Sequence, residues 1–268
     1  MLRKLLLILI SILPHSKLRI LGYRLLCRYK ISFDSSIGFL NYIDCRSVTM
    51  TGARIGSLNV ISADSFQADR GAQVRKLNRF RHLNRVILGE GAVVVARNAF
   101  VGAPGGLSPY DRLRNLYIGR DTVVTRSHSI DVTDTVKIGD DVTLAGSAIQ
   151  IWSHGFDLNH VRIQAPVTIG NHVYVGSRAI VLQGASICDN VSIGAGTVVS
   201  KPITDAGFYV SGGLTRKADT SDYTCHPDTV VHSGHRFLRR TETSSRMNRV
   251  LMFTRGEEHV AEEETTRG

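Results

Sequence analysis

The residue best placed for acid–base chemistry is His154. The sequence contains ten histidines, and a lone histidine is more often structural than reactive. His154 differs in its setting, because it lies in residues 151–157 (IWSHGFD), where a regular six-residue repeat stops and a loop begins. A loop held by a rigid scaffold is a common place for a reactive side chain. Imidazole is also the side chain whose ordinary pKa lies nearest to neutrality.

Other polar residues lie close enough in the repeat to take part. Asp157 follows His154 by three positions and is expected either to orient its ring or to be an exposed loop acid. His128 lies 26 residues upstream, on the neighbouring part of the scaffold wall. It is expected either to position a substrate or to be an internal histidine bonded to a backbone carbonyl. We interpret His160 and His172 as structural or exposed.

The sequence shows no nucleophile for a covalent intermediate. It has no G-x-S-x-G motif, and its four cysteines (Cys27, Cys45, Cys188 and Cys225) form neither a Cys–His pair nor a C-x-x-C motif. We therefore expect direct group transfer. The scattered cysteines also suggest no zinc site, and we expect no bound metal. Scattered cysteines also fit a reducing cytosol better than a disulfide framework.

A strict period of six organises the scaffold. Ile or Val recurs at every sixth position from 169 to 199: Ile169, Val175, Val181, Ile187, Ile193 and Val199. This period is typical of β-helices, in which short strands meet at corners and three hexads make one coil. The corner positions are His172, Arg178, Gly184, Asn190, Gly196 and Pro202; Gly and Asn accept a positive φ, whereas Pro does not, so we expect the coil to end at Pro202.

Weaker hexads extend this pattern back to Ile37, with breaks at residues 102–117 and 152–166. We predict an all-β solenoid over residues 34–215, preceded by a helical segment at 1–33. An irregular C-terminal extension follows at 216–268, with a disordered acidic end.

The hexads resemble the motif [LIV]-G-x-x-[STAV]-x of the hexapeptide-repeat acyltransferases. Within that superfamily the chain is most similar to the galactoside and polysaccharide O-acetyltransferases. The resemblance implies a left-handed β-helix, a homotrimer with sites between subunits, and acetyl-CoA as the acyl donor. It also implies that His154 takes the proton of the acceptor hydroxyl, and that His128 stands where relatives carry a polar residue touching the acceptor.

The resemblance also implies a set of donor-binding residues. Carried over position by position, these are Tyr174, Ser177, Ala195, Ser200 and Lys201. Tyr174 stands where many members have Trp, and backbone N–H groups near Ser177 would meet the oxyanion. The family's closing Pro is missing from residues 211–217 (SGGLTRK), but the basic pair Arg216 and Lys217 remains available for phosphate or adenine.

The first 30 residues carry seven Lys and Arg side chains and no acid. Their apolar run at residues 5–13 is shorter than the about 20 residues that cross a bilayer. In the next segment Leu18, Leu21 and Leu25 share one helical face. This composition favours a helix lying on an anionic membrane surface, while the alternative is a helix that caps the solenoid.

The prediction is an acetyl-CoA-dependent O-acetyltransferase that modifies a sugar hydroxyl of a surface polysaccharide or its lipid-linked precursor. It would be cytoplasmic and attached peripherally to the inner face of the cell membrane. Two alternatives are a non-catalytic solenoid scaffold and a metal hydrase like the γ-carbonic anhydrases, although His154 and His160 are six apart where that pattern has five. The net charge of +10 does not indicate nucleic acid, because no interleaved aromatic residues accompany it.

Overall fold

Each hexad forms a short strand, and three strands per turn stack into a parallel β-solenoid. The computed structural model describes residues 2–106, 108–212, 230–232 and 235–239. The columns pair as the period predicts, with Ile169 beside Ile187 and Val175 beside Ile193. These side chains are buried and form one continuous core. The β-helix of hexapeptide repeats preceded by a helical segment is therefore confirmed.

The solenoid has three faces. The first face contains β1 (Lys30–Ile31), β10 (Asn115–Ile118), β13 (Val136–Ile138), β18 (Val167–Ile169) and β21 (Ser186–Ile187). The second face contains β2 (Ser36–Ile37), β4 (Arg54–Ile55), β6 (Gln73–Lys76), β8 (Val93–Ala96), β11 (Val123–Arg126), β14 (Thr143–Ser147), β19 (Tyr174–Val175), β22 (Val191–Ile193) and β24 (Gly207–Tyr209). The third face contains β9 (Ala99–Val101), β12 (Ser129–Asp131), β15 (Gln150–Ile151), β20 (Ile180–Val181) and β23 (Val198–Val199).

In the lower coils the corner between the third face and the next first face is continuous strand. Three long strands, β3 (Tyr42–Met50), β5 (Val60–Ala68) and β7 (Arg79–Leu88), run around it. In the upper coils the same corner opens into loops. The predicted bends are present at the other corners, where His172, Arg178 and Asn190 have φ angles of 53°, 59° and 61°.

Two helices, α1 (Leu2–Ser11) and α2 (Ser16–Leu26), close the lower end of the solenoid. They contact β1, β2 and β3, one strand from each face of the first coil. Leu7 and Tyr23 from these helices are fully buried in the solenoid core. The Ser11 carbonyl accepts a hydrogen bond from the Leu40 N–H (3.1 Å), and Ser16 Oγ accepts one from the Ile37 N–H (2.9 Å), so the helices cap the strand edge.

In the described part of the chain, neither helix has the length and apolar run that crossing a membrane requires.

The two sequence breaks differ in structure. Residues 102–106 and 108–114 belong to a loop that contains a short 3₁₀ helix (Asp111–Leu113). The second break contains an antiparallel hairpin of β16 (His154–Phe156) and β17 (Val161–Gln164). Two strands from the C-terminal extension, β25 (Val230–His232) and β26 (His235–Arg239), extend it to the order β16-β17-β26-β25. The hexad period gave no signal for these strands.

Candidate active site

The candidate site lies at the corner between the third face and the first face, which we call the loop corner. It comprises residues 131–135, 152–166, 182–185 and 200–202 of successive coils. The coils are stacked in register there, since Ile130 pairs with Ile151 and Ile151 with Val181. This stacking brings side chains together that are far apart in sequence.

His154 is held by a buried carboxylate. It begins strand β16, and its Nδ1 lies 2.7 Å from Oδ2 of Asp131, which ends strand β12 in the coil below. The His154 side chain is 23% exposed and that of Asp131 only 8%. Phe156 stands edge-on to the imidazole with ring centroids 5.8 Å apart. The ring is therefore fixed on two sides and open on a third.

Asp131 is itself held by several donors. Oδ2 accepts hydrogen bonds from the Ser153 N–H (2.9 Å) and hydroxyl (2.8 Å), and Oδ1 accepts one from the Thr133 hydroxyl (2.6 Å). Burial alone would raise the pKa of Asp131. The hydrogen bond and charge of His154, together with hydrogen bonds from Thr133 and Ser153, hold that pKa below its usual range. Asp131 is thus a carboxylate at neutral pH.

This pairing defines what His154 can do. A carboxylate at Nδ1 accepts a hydrogen bond from that nitrogen, which places the N–H on Nδ1 and the lone pair on Nε2. No described residue donates a hydrogen bond to Nε2, so Nε2 is available to a substrate proton. The same carboxylate stabilises the imidazolium that forms when Nε2 takes that proton. The arrangement is that of a general base with its orienting acid.

Of the two roles expected for Asp157, orienting His154 or closing a loop, the hydrogen bonds in the structure favour the loop, and Asp131 is the carboxylate at His154 Nδ1. Asp157 Oδ1 accepts hydrogen bonds from the Asn159 N–H (2.8 Å) and the Val161 N–H (2.9 Å). These bonds close the turn between β16 and β17. Asp157 therefore shapes the hairpin that carries His154.

The prediction that His128 touches the acceptor is corrected, because His128 is 1% exposed inside the solenoid. It is the last rung of a buried ladder in which each Oδ1 accepts the next rung's backbone N–H at 2.9–3.0 Å: Asn41, Asn59, Asn78, Asn98 and His128. His128 Nδ1 continues the ladder by accepting from the Ile149 N–H (3.1 Å), while Nε2 contacts the Leu144 carbonyl (3.2 Å). It is the internal histidine of the alternative interpretation.

Acid should destabilise the wild-type protein more than a His128→Asn variant. Burial lowers the pKa of His128 to about 4, although the bond to Leu144 acts in the opposite direction. The unfolded chain has the higher pKa, so this contribution to stability is complete above pH 6.5 and is lost as the pH falls toward 4. The full loss is about 3 kcal/mol. Asn keeps the acceptor for Ile149 and does not titrate.

Urea unfolding of both proteins between pH 7.5 and pH 4.5 measures this difference. His172→Asn is the matched control, because its side chain is exposed and outside the ladder. We expect the His172→Asn protein to follow the wild type. Wild-type and His128→Asn curves that shift in parallel with pH would contradict the assignment.

The predicted donor residues divide between two corners of the solenoid. Ser200 and Lys201 are exposed at the loop corner, where the chain stacks over residues 182–183 and 152–153. Ser177 and Ala195 lie at the corner between the second and third faces, which we call the small-residue corner. Tyr174 lies on the second face beside it, 49% exposed. One chain therefore does not bring all five residues around His154.

The coils stack closely at the small-residue corner. A Cβ on Gly146 would lie 1.8 Å from the Ser177 hydroxyl oxygen, and one on Gly176 would lie 2.6 Å from the Ala195 nitrogen. Only residues without a side chain allow the coils to stack so closely there. The predicted basic pair Arg216 and Lys217, like Cys225, lies outside the described residues.

Sequence reasoning missed Asp131, although one signal pointed to it. Ile130 belongs to the same hexad column as Ile151, so Asp131 falls directly under Trp152 and beside Ser153. The column step from Ile130 to Ile138 is two residues longer than a hexad. That insertion and a wide turn at residues 145–148 hide the register. Counting along the column rather than along the chain would have found it.

The repeat matches a known family. The family described as the hexapeptide repeat of succinyl-transferase matches residues 166–201. Galactoside O-acetyltransferase of Escherichia coli (strain K12) is 32% identical over 112 residues, which are 41% of this chain and 55% of that protein. UDP-3-O-acylglucosamine N-acyltransferase of Delftia acidovorans is 30% identical over 127 residues, covering 44% of this chain and 38% of that protein.

These matches confirm the resemblance to the hexapeptide-repeat acyltransferase superfamily. The chain spans about half the length, or less, of these curated relatives. The solved structure of the polySia specific acetyltransferase NeuO aligns with a TM-score of 0.37 and 20% identity, over 71% of this chain and 91% of that chain.

Proposed function

We propose that the protein is an O-acetyltransferase that moves an acetyl group from acetyl-CoA to a sugar hydroxyl. The observation that carries the proposal is the 2.7 Å contact between His154 Nδ1 and Asp131 Oδ2. It leaves Nε2 as a base at an open corner of an acyltransferase-like solenoid. A hydroxyl attacks a thioester slowly unless such a base removes its proton.

The reaction needs no covalent enzyme intermediate. His154 Nε2 takes the hydroxyl proton while the oxygen forms a bond to the thioester carbonyl carbon. The carbon–sulfur bond then breaks, and the imidazolium returns the proton to the leaving thiolate. The products are the O-acetyl ester and the free thiol of coenzyme A. Asp131 keeps the ring oriented and stabilises its positive charge during both transfers.

The divided donor residues support a site between subunits. In one chain the third face separates Ser177 from the loop corner that carries His154. A cyclic homotrimer would set one subunit's small-residue corner against its neighbour's loop corner and so complete the site. Phe156, which contacts His154, and Leu158, in the turn of the same hairpin, are 61% and 63% exposed, and a neighbouring subunit would cover them. Light scattering on the purified protein measures the assembly.

The acceptor we propose is a hydroxyl of a surface polysaccharide or of its lipid-linked precursor. The similarity to a galactoside O-acetyltransferase supports a sugar acceptor. The test is a mass spectrum of surface glycans from cells lacking the gene. The expected result is loss of the acetyl mass increment, restored by wild type but not by His154→Ala.

Lys201→Ala should weaken coenzyme A binding by up to about fivefold at low salt, because an exposed ion pair contributes about 0.2–1 kcal/mol. The effect should shrink at high salt, where exposed charges are screened. Calorimetry at two salt concentrations measures it. Lys137→Ala is the matched control, since Lys137 is an exposed lysine on the first face. Equal affinity of both variants would place the donor phosphates elsewhere, and absence of any binding would favour the scaffold alternative.

A further inference from the structure

The helices that cap the solenoid are apolar on both sides. Their inward face contributes Leu7, Ile10, Ile20 and Tyr23 to the solenoid core. Their outward face, at helical spacing, exposes nine further aliphatic side chains by between 41% and 82%: Leu2, Leu5, Ile8, Leu9, Ile12, Leu18, Leu21, Leu25 and Leu26. We call this outward face the apolar end.

An apolar outer face is unusual at the end of a solenoid. Terminal caps of repeat proteins carry a polar outer face, because solubility requires it. Contiguous exposed apolar surface of this kind marks an interaction site. The capping role is already met by the inward face, so it does not explain the outward leucines.

Positive charge accompanies the apolar end. Its exposed cations are Lys4, Lys17, Arg24, Arg28 and Lys30, and residues 2–30 contain no acid. Two of these, Lys17 and Arg24, also donate to backbone carbonyls while remaining exposed. The other two basic residues are Arg3, which pairs with Asp44 at 2.9 Å, and buried Arg19, which donates to the Ile37 carbonyl at 2.9 Å. The apolar end therefore presents five charges of one sign.

The charges select the partner. Two copies joined end to end would bring like charges together, which disfavours that contact. An anionic bilayer complements both properties, since its headgroups attract the cations and its acyl region accepts the leucines. The inner leaflet of a cell membrane is a surface of this kind.

We propose that the apolar end docks on an anionic bilayer and holds the solenoid upright, with His154 well above the membrane. Along the third face five steps separate the first coil from the coil of His154: β3 to β5, β7, β9, β12 and β15. At about 4.8 Å per step the candidate site lies roughly 24 Å beyond the first coil.

The height of the site restricts which sugar of an acceptor can reach His154. This consequence rests on the proposed acetyl transfer, whereas the docking on the bilayer does not depend on it. A lipid-linked glycan would be modified on a sugar distant from its lipid. The path along the loop corner passes a cavity of about 330 Å³, whose lining includes Arg46, Asp64, His82 and Arg114. These side chains offer the donors and acceptors that a hydroxyl-rich chain requires.

Sedimentation with vesicles tests the docking without any acyl transfer. The full chain should bind vesicles of phosphatidylglycerol and phosphatidylcholine, and bind vesicles of phosphatidylcholine alone at least tenfold more weakly. The double variant Leu9→Glu/Leu25→Glu should lose at least about tenfold in binding, because two exposed leucines that would enter the acyl region become charged. The matched control is Val198→Glu/Phe208→Glu, with two exposed apolar residues near the other end of the solenoid, and it should bind like wild type.

Equal affinity of the two double variants for the anionic vesicles would overturn the proposal. So would end-to-end self-association in the ultracentrifuge that only Leu9→Glu/Leu25→Glu abolishes, because the occupant would then be a second copy. Thermal melting of each variant shows whether its fold is intact. If Leu9→Glu/Leu25→Glu does not fold, the milder Leu25→Gln replaces it.

The single tryptophan reports the orientation. Trp152 is the one Trp in the sequence, lies two residues before His154 and is 37% exposed. Its fluorescence should transfer energy to dansyl groups on the lipid headgroups, yet remain unquenched by brominated acyl chains, which act only by contact. Quenching by the brominated chains would show that the solenoid lies on its side, and would overturn the upright arrangement.

Discussion

Replacing His154 by alanine should lower the rate of acetyl transfer by about 10²- to 10⁴-fold, the usual effect of removing a general base. The affinity for coenzyme A should change little, because Nε2 acts on the acceptor hydroxyl and not on the donor. Single-turnover transfer measures the first effect, and calorimetry with coenzyme A measures the second.

The control for this prediction is built into the chain. His172 Nδ1 lies 2.7 Å from Asp141 Oδ2, the same separation as in the His154–Asp131 pair. The side chains of His172 and Asp141 are, however, each nearly two-thirds exposed. His172→Ala should leave the rate within about threefold of wild type. If His154→Ala were equally active, the base would have to be another group.

Replacing Asp131 by asparagine should have an effect of similar size, a loss of about 10²- to 10⁴-fold in kcat. The Asn amide would donate to Nδ1 and so favour the tautomer with its proton on Nε2, which cannot accept one from the hydroxyl. The KM values should move little, because Asp131 is 8% exposed and acts through His154. The loss of the Nδ1–H proton resonance of His154 would report the change of tautomer directly.

Two variants separate this orienting role from a structural one. Asp141→Asn alters the exposed pair in the same way and should leave kcat unchanged. Ser153→Ala removes one hydrogen bond to Asp131 Oδ2 and should cost about 1–3 kcal/mol of stability with little change in kcat. An Asp131→Asn protein that loses stability but keeps its kcat would show that Asp131 is only structural.

The same residues show how far local sequence signals extend. His154 was found because the hexad period stops beside it, and period and interruption are both properties of consecutive residues. Asp157 is a candidate on sequence grounds for the same reason, since it lies close to His154 in the chain. Asp131 was missed because it is 23 residues away and meets His154 only when two coils stack. Its position depends on the number of residues in the intervening coil, which includes irregular turns.

His128 illustrates the opposite error. Its spacing placed it on the wall of the solenoid, but spacing does not show whether a residue that follows a corner points outward or inward. The structure places it inward, because the four asparagines below it form a ladder of side-chain to backbone hydrogen bonds that a histidine extends. The ladder is visible in the sequence only once the coils have been aligned.

The sequence by itself determined the coil and its corners, because a hexad signals its buried side chain and its bend through neighbouring residues alone. The coil continues past the predicted end at Pro202, since β24 still pairs with β22. The sequence also determined that the first 30 residues are amphipathic and basic. The tertiary structure decided that their helices cap the first coil with one apolar face and leave another exposed. It decided as well that Asp131 holds His154, and that Ser177 and Lys201 lie at different corners. These outcomes depend on stacking between coils, whose register is set by the lengths of the insertions and by packing across the core rather than by any local pattern.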